Sequence, residues 1–213
     1  MYALFKQKMR SDMTKLIEGI IAPFPLNNVD TDVIMPKRFL KTITREGLAD
    51  GTFADLRFTE DNDLRLEFVL NQPRWKSASI LIVGDNFGCG SSREHAVWGL
   101  MQLGIKAIIG TGFAGIFYDN ARKNGLTLPI ISHDDRIKLM DLAEKGEGFS
   151  AVVNIHKRQI ACDELRVPFD MDNATRQGLL DNRDDTLDSL KLSDTISKYE
   201  AQLSDKMKVS VVK

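Results

Sequence analysis

Asn86-Phe87-Gly88-Cys89-Gly90-Ser91-Ser92-Arg93-Glu94-His95 is the stretch on which the reading of this chain turns. Before it runs Ala78-Ser79-Ile80-Leu81-Ile82-Val83-Gly84, an apolar segment of strand length. After it, Ala96, Val97, Leu100, Met101 and Leu103 recur at helical spacing. The decamer therefore reads as a strand-to-helix turn. Gly88 and Gly90 open backbone conformations closed to other residues and let a ligand approach the main chain. Ser91 followed three residues later by Glu94 has the form of a capping box, which predicts a helix starting at Ser91 or Ser92. The first N–H groups of such a helix lack internal acceptors and its dipole end is positive. Ser91, Ser92 and Arg93 would then flank a ready anion site. On these residues alone two readings stay open: Ser91 as a cap worth about 1 kcal/mol beside a surface arginine, or a hydroxyl–guanidinium site.

Outward from the decamer, the chain alternates strands and helices. Ile17 to Pro23 reads as a first strand, Ile105 to Ile109 as a strand after the central helix, and Phe113 to Lys123 as a helix stopped by Asn124-Gly125. Leu126 to Ile131 reads as the next strand and Asp134 to Lys145 as a helix ended by Gly146. This β-α-β-α-β order implies parallel strands with right-handed crossovers. From Phe149 the pattern turns to alternation. Val152 to Ile155 and Gln159 to Ala161, with Lys157-Arg158 between them, predict a hairpin, and Leu165 to Phe169 a further strand. Asn173 to Leu180 reads as a helix, Asp181 to Asp188 as an acidic connection, and Ser193 as the cap of a last helix bearing Ile196, Tyr199 and Leu203 on one face. Arg38 to Phe58 has no clean period and reads as a loop–helix excursion, with Phe39 and Leu40 available as core anchors. The expected class is α/β, a parallel β-α-β core with added antiparallel strands and a C-terminal helical extension.

The chain has 213 residues, 43% of them hydrophobic, which suits one domain, or one domain with an appendage. Its net charge of −1 with no basic block gives no reason to expect nucleic acid as a partner. No apolar run approaches the roughly 20 residues that span a bilayer, and Met1 to Arg10 lacks the apolar segment of a signal peptide. A cytoplasmic protein with no membrane partner is expected.

Three ordered blocks carry a resemblance. The first is Asn28-Val29-Asp30-Thr31-Asp32 with Ile34, Pro36 and Arg38-Phe39-Leu40. The second is the decamer running on into Ala96, and the third is Phe113-Ala114 with Ile116-Phe117-Tyr118, then Asn124-Gly125-Leu126 and Leu128-Pro129. In this order they are similar to the small swivelling domain of the aconitase superfamily, and more narrowly to the small subunits of bacterial 3-isopropylmalate dehydratases. The match is loose in the C-terminal third and absent in the first dozen residues. The resemblance implies an aconitase-type swivelling domain over residues 13–171, an N-terminal extension (1–12) and a C-terminal helical segment (172–213). It implies a hydro-lyase of leucine biosynthesis acting on a small diacid, active only with a large subunit that carries a 4Fe–4S cluster as Lewis acid. By the same resemblance Ser91 is the catalytic base, Ser92 and Arg93 hold substrate carboxylates, and Asp32 orients active-site groups. Arg38 would bind substrate, and the segment Phe39-Leu40-Lys41-Thr42 would select the substrate's side group. Hydration of another unsaturated diacid such as citraconate, or a scaffold that only shapes a partner's site, are the alternatives. The two cysteines, Cys89 and Cys162, cannot supply the several thiolates a cluster normally takes, so another polypeptide would have to bring it.

Two further features compete for attention. Gly110-Thr111-Gly112-Phe113-Ala114-Gly115 has the form of a dinucleotide-binding turn between strand and helix, with Asp134 about 20 residues on as the ribose acid. Glycine at these positions can equally serve close helix–strand packing. His95 falls one helical turn after Ser91, either at the site or as a structural histidine.

Overall fold

In the computed structural model, residues 16–40, 47–146, 148–181 and 193–202 are described. Strand β1 (Leu16–Phe24) lies at the centre of a six-stranded sheet. On one side β2 (Ile80–Val83) and β3 (Ala107–Ile109) run parallel to it, with Ile21 beside Ile80 and Ile80 beside Ala107. On the other side β4 (Ser150–Asn154), β5 (Gln159–Cys162) and β6 (Leu165–Pro168) add on antiparallel, giving the order β3-β2-β1-β4-β5-β6. The parallel core with an antiparallel addition is thus as expected, and so is the hairpin, which turns at Lys157-Arg158 between β4 and β5.

The unbroken apolar run of β2 follows from burial on both faces, the usual state of parallel strands. Leu81 and Val83 enter a core shared with Phe24, Phe87, Leu100 and Phe117, while Ile80 and Ile82 enter a second core with Leu139, Ala143, Val153 and Ile160. The first core is covered by helices α4 (Glu94–Gln102) and α5 (Gly115–Asn124), which follow three single helical turns, α1 (Thr31–Ile34), α2 (Leu48–Gly51) and α3 (Ala54–Arg57). Its aromatic rings meet edge-on, with Phe24 to Phe87 at 6.1 Å and Phe87 to Phe117 at 5.6 Å between centroids. The second core is covered by α6 (His133–Lys145). Helices α7 (Asn173–Asp181) and α8 (Ser193–Gln202) follow the sheet. The acidic stretch beyond Asp181 and Leu203 lie outside the described residues, as does the side chain of Ile196, and Tyr199 is exposed.

Local signals explain several helix ends. Gly125 closes α5 in the left-handed conformation at φ +82°, its N–H bonding the carbonyls of Ala121 and Arg122. Ser132 caps α6, its Oγ accepting from the Asp135 N–H at 3.2 Å. Three expectations need correction. Leu126 to Ile131 forms only isolated bridges, Thr127 with Ala107 and Ile130 with Gly110, because Pro129 has no N–H to continue a ladder. Met101 is 38% exposed rather than part of the core face of α4. The helix after the decamer begins at Glu94, with Arg93 in the N-cap place and no side-chain cap. The capping box does not form: Asn124 Nδ2 donates to Glu94 Oε1 at 2.7 Å, while the Ser91 carbonyl accepts from Thr31 Oγ1 at 2.9 Å. Among the described residues no helix is long and apolar enough to cross a membrane.

Candidate active site

Three loops leave the carboxyl ends of β1, β2 and β3 and meet at one edge of the sheet, the edge where α/β folds place ligands. The first two are laced together by backbone. Asn28 N–H donates to the Asp85 carbonyl at 2.8 Å, Gly88 N–H to Val29 at 2.8 Å, and Thr31 N–H to Cys89 at 2.9 Å. Thr31, which is buried, adds its hydroxyl bond to the Ser91 carbonyl. The turn at Gly88 requires glycine, since its φ is +79° and a Cβ there would lie 2.3 Å from the Phe117 ring.

Lacing brings Asp32 and Arg93 together across 61 residues of sequence. Arg93 Nη1 donates to Asp32 Oδ1 and Nη2 to Oδ2, the latter at 2.9 Å, a two-pronged pair of the kind planar guanidinium favours. The Arg93 side chain is only 11% exposed, so it is a fixed part of the loop rather than a mobile surface cation. Asp32, 45% exposed, is held below the usual carboxylate range, chiefly by the hydrogen bonds from Arg93, against some burial and with help from the charges of Arg93 and Lys37. Asp30 sits beside it as the N-cap of α1, Oδ1 accepting from the Val33 N–H at 2.8 Å. Ser91 and Ser92 are exposed on this rim, with hydroxyls that bond no other described residue. The result is an exposed pair of hydroxyls next to a buried, oriented guanidinium at the start of α4. Such an arrangement can bind a carboxylate and stabilise negative charge developing on an oxygen.

Of the residues singled out in the sequence, Asp32, Ser91, Ser92 and Arg93 come together. Arg38, Phe39 and Leu40 make no hydrogen bond or ion pair with them among the described residues. Arg38 instead pairs with Asp55 at 2.5 Å and lies over the Phe39 ring, lining an open groove of about 900 Å³ with Asp50, Phe58 and Arg65. Phe39 packs against Gly51, where a Cβ would meet its ring at 2.6 Å, and Leu40 is half-buried against the first core. Both therefore behave as anchors at least in part, while Lys41 and Thr42 lie outside the described residues. His95 is half-buried against the Trp98 ring at 4.8 Å. Trp98 Nε1 in turn donates to Asn124 Oδ1 at 2.8 Å, and Asn124 reaches Glu94, so α4 is fastened to α5 by side chains. Thr31 and Asn124 were not legible as site-supporting residues, because their partners lie tens of residues away.

The dinucleotide reading of Gly110 to Gly115 loses its structural basis. Open space surrounds the Cβ positions of Gly112 and Gly115, so neither provides close helix–strand packing, and Asp134 is exposed in the first turn of α6 rather than at a strand tip. The two thiols do not converge either. Cys89 is half-buried in the site loop, whereas Cys162 is buried in the second core, its pKa pushed up to about 11 by burial. Among the described residues no group of three or more His, Cys, Asp or Glu could hold a metal ion, so the described residues do not fit a resident iron–sulfur cluster.

Residues 12–134 match the aconitase C-terminal domain. A 3-isopropylmalate dehydratase small subunit from Brucella anthropi is 45% identical over 90% of this chain and 96% of that protein. The chain belongs to the family of 3-isopropylmalate dehydratase small subunits, within the aconitase C-terminal domains. The small subunit of Brucella canis is 46% identical over 89% of this chain and 94% of that one. The solved structure of a 3-isopropylmalate dehydratase from Methanocaldococcus jannaschii superposes with a TM-score of 0.62 at 27% identity, covering 85% of this chain and 99% of that chain. The family match ends just inside α6, so it spans β1 to β3 and all three site loops, while the longer likeness to the small subunits takes in the antiparallel strands as well.

Proposed function

We propose that this chain is the small subunit of a two-subunit hydro-lyase that interconverts 2-isopropylmalate and 3-isopropylmalate through isopropylmaleate, in leucine biosynthesis. Family membership supports the reaction class, and the observation that carries the site assignment is the Asp32–Arg93 clasp beside Ser91. In this reading Ser91 is the base. A hydroxyl is a poor base in water, and it becomes effective only where fixed positive charge stabilises its alkoxide. The buried Arg93 and the start of α4 supply that charge. Ser91 takes the proton from the carbon beside a substrate carboxylate, and the C–H electron pair becomes the double bond of isopropylmaleate. The hydroxyl of the neighbouring carbon departs as water on taking up a proton, a departure that the Lewis acid of a large subunit's cluster would ease. Return of the proton and hydroxide to exchanged carbons gives the isomer.

Arg93 gives one N–H from each terminal nitrogen to Asp32 and keeps its remaining donors for a substrate carboxylate. Ser92 adds a hydroxyl to the same carboxylate. Asp32 does not meet substrate first; it fixes the plane of the guanidinium. The groove beside Arg38 and Phe39 would receive the side group of the diacid. The family's 4Fe–4S cluster would be the contribution of a large subunit, since the described residues do not fit it.

The test is reconstitution with the large subunit of the same source, following the ultraviolet absorbance of isopropylmaleate. Turnover of either isopropylmalate in the mixture alone is expected. A mixture inert toward both isopropylmalates but active on citraconate would replace this reading by that of a related diacid hydratase.

A further inference from the structure

The lacing between the two site loops is fastened at its base by a cluster that the proposed reaction does not use. Asp85, the residue before the decamer, takes part in the lacing twice through its backbone. Its N–H donates to Asn27 Oδ1 at 2.7 Å, and its carbonyl accepts from the Asn28 N–H at 2.8 Å. Its carboxylate is gripped from two other elements. Thr111 Oγ1 donates to Oδ1 at 2.6 Å, and Arg136 Nη2 of α6 stands 3.7 Å from Oδ2.

Arg136 is only 12% exposed, its buried Nε has no acceptor among the described residues, and its Nη2 otherwise meets only His133 Nδ1 at 3.2 Å. Among the described residues Asp85, itself half exposed, is the carboxylate that stands within ion-pair distance of this cation. Asp85 stays ionised, its pKa lowered first by the Thr111 hydrogen bond and then by the charges of Arg136 and His133, against some burial. Thr111 is the middle residue of Gly110-Thr111-Gly112, the motif left without a role once dinucleotide binding is set aside. Crowding at the same point is tight, since a Cβ on Gly84 would lie 2.4 Å from the Leu26 carbonyl oxygen.

We infer that Asp85, gripped by Thr111 and Arg136, is a positioning residue for the reaction: it sets the register of the two loops and so the placement of Ser91 and Arg93 relative to Asp32. It touches no substrate. It acts through the rungs that run from Asn28–Asp85 through Val29–Gly88 and Thr31–Cys89 to Thr31–Ser91. The Gly-Thr-Gly turn then serves to bring one hydroxyl to Asp85.

The inference rests on the functional reading above, and two measurements keep their failures apart. In the reconstituted complex, Thr111→Val and Asp85→Ala should each lower kcat by roughly 10- to 100-fold, the order expected of a 1 Å misplacement of reacting groups, with KM changed far less. Thr111→Ser should restore the loss, since it restores the hydroxyl. In the full-length small subunit alone, with no assay of turnover, Thr111→Val should speed amide exchange at Asn28, Gly88 and Thr31 while the amides of β2 keep their protection. Wild-type kcat in Thr111→Val, a loss that Thr111→Ser does not restore, or unchanged exchange at the three amides would each overturn the inference. If Asp85→Ala does not fold, the Thr111 pair decides alone. A wild-type complex inert toward isopropylmalate would sink the functional reading, and the exchange arm would still judge the role of Asp85.

Discussion

Ser91 and Arg93 stand two residues apart in one turn, yet substituting them should have different consequences. Ser91→Ala should reduce kcat at least 100-fold in the reconstituted complex, the scale of a lost base. Its hydroxyl bonds no other described residue, so the thermal midpoint should scarcely move. A near-normal kcat would leave the chain as a scaffold for its partner's chemistry. Arg93→Lys should instead mainly raise KM, because a point charge replaces a planar fork that serves Asp32 and substrate together. Asp32 offers a check that needs no partner. Its folded-state pKa is depressed, so the clasp is complete above the ordinary carboxylate range and is lost as pH falls through the folded value. An NMR titration of the Asp32 carboxyl carbon should show a midpoint below 3.8, and Arg93→Gln should bring it back toward 3.8. A wild-type midpoint at or above 3.8 would mean that the clasp does not persist in solution.

Among elements, the turn at Gly88 is the least forgiving. Gly88→Ala combines a left-handed backbone, about 1–2 kcal/mol, with crowding against Phe117, about 1–3 kcal/mol. Denaturant unfolding of the isolated chain should register a loss within the sum of those ranges, and a loss under 0.5 kcal/mol would mean the turn relaxes around the new methyl. This element also shows what was readable beforehand. β2, the β4–β5 hairpin and the Gly125 stop were legible because their signals are local: an apolar run, an alternation, a glycine at positive φ. The start of α4 was misread because the chain turns into the helix two residues later, with Arg93 in the N-cap place, and the Glu94 carboxylate that the box would use accepts instead from Asn124. The partner of Arg38 was not legible for a similar reason. Near Asp32 in sequence, it follows Pro36 into a 3-10 turn and is held by Asp55. Asp32, Ser91, Ser92 and Arg93 could be singled out from the sequence as candidates, whereas the pairing of Asp32 with Arg93 could not, since nothing in either segment names the other.

For the molecule as a whole, the small subunit purified alone should be colourless and without turnover, given two cysteines in separate places. A brown preparation carrying a stoichiometric 4Fe–4S spectrum from this chain alone would contradict that. The lacing of the site has one more consequence, which concerns time rather than place. Its side-chain rungs join residues 58, 60 and 61 positions apart. Closing such loops costs entropy that no rung recovers alone, so non-local contacts of this kind form slowly. The rungs need β1 and β2 already in register, with Phe24 beside Val83, before Asn28 can find Asp85 or Asp32 can find Arg93. A chain emerging during synthesis thus reaches Ser91 long after Asp32 and holds no half-built base in the interval. The acid–arginine pair can close only once β1 and β2 lie in register, and it does not wait for β4, which pairs with β1 across a longer stretch of chain; its formation would report that this edge of the sheet is built.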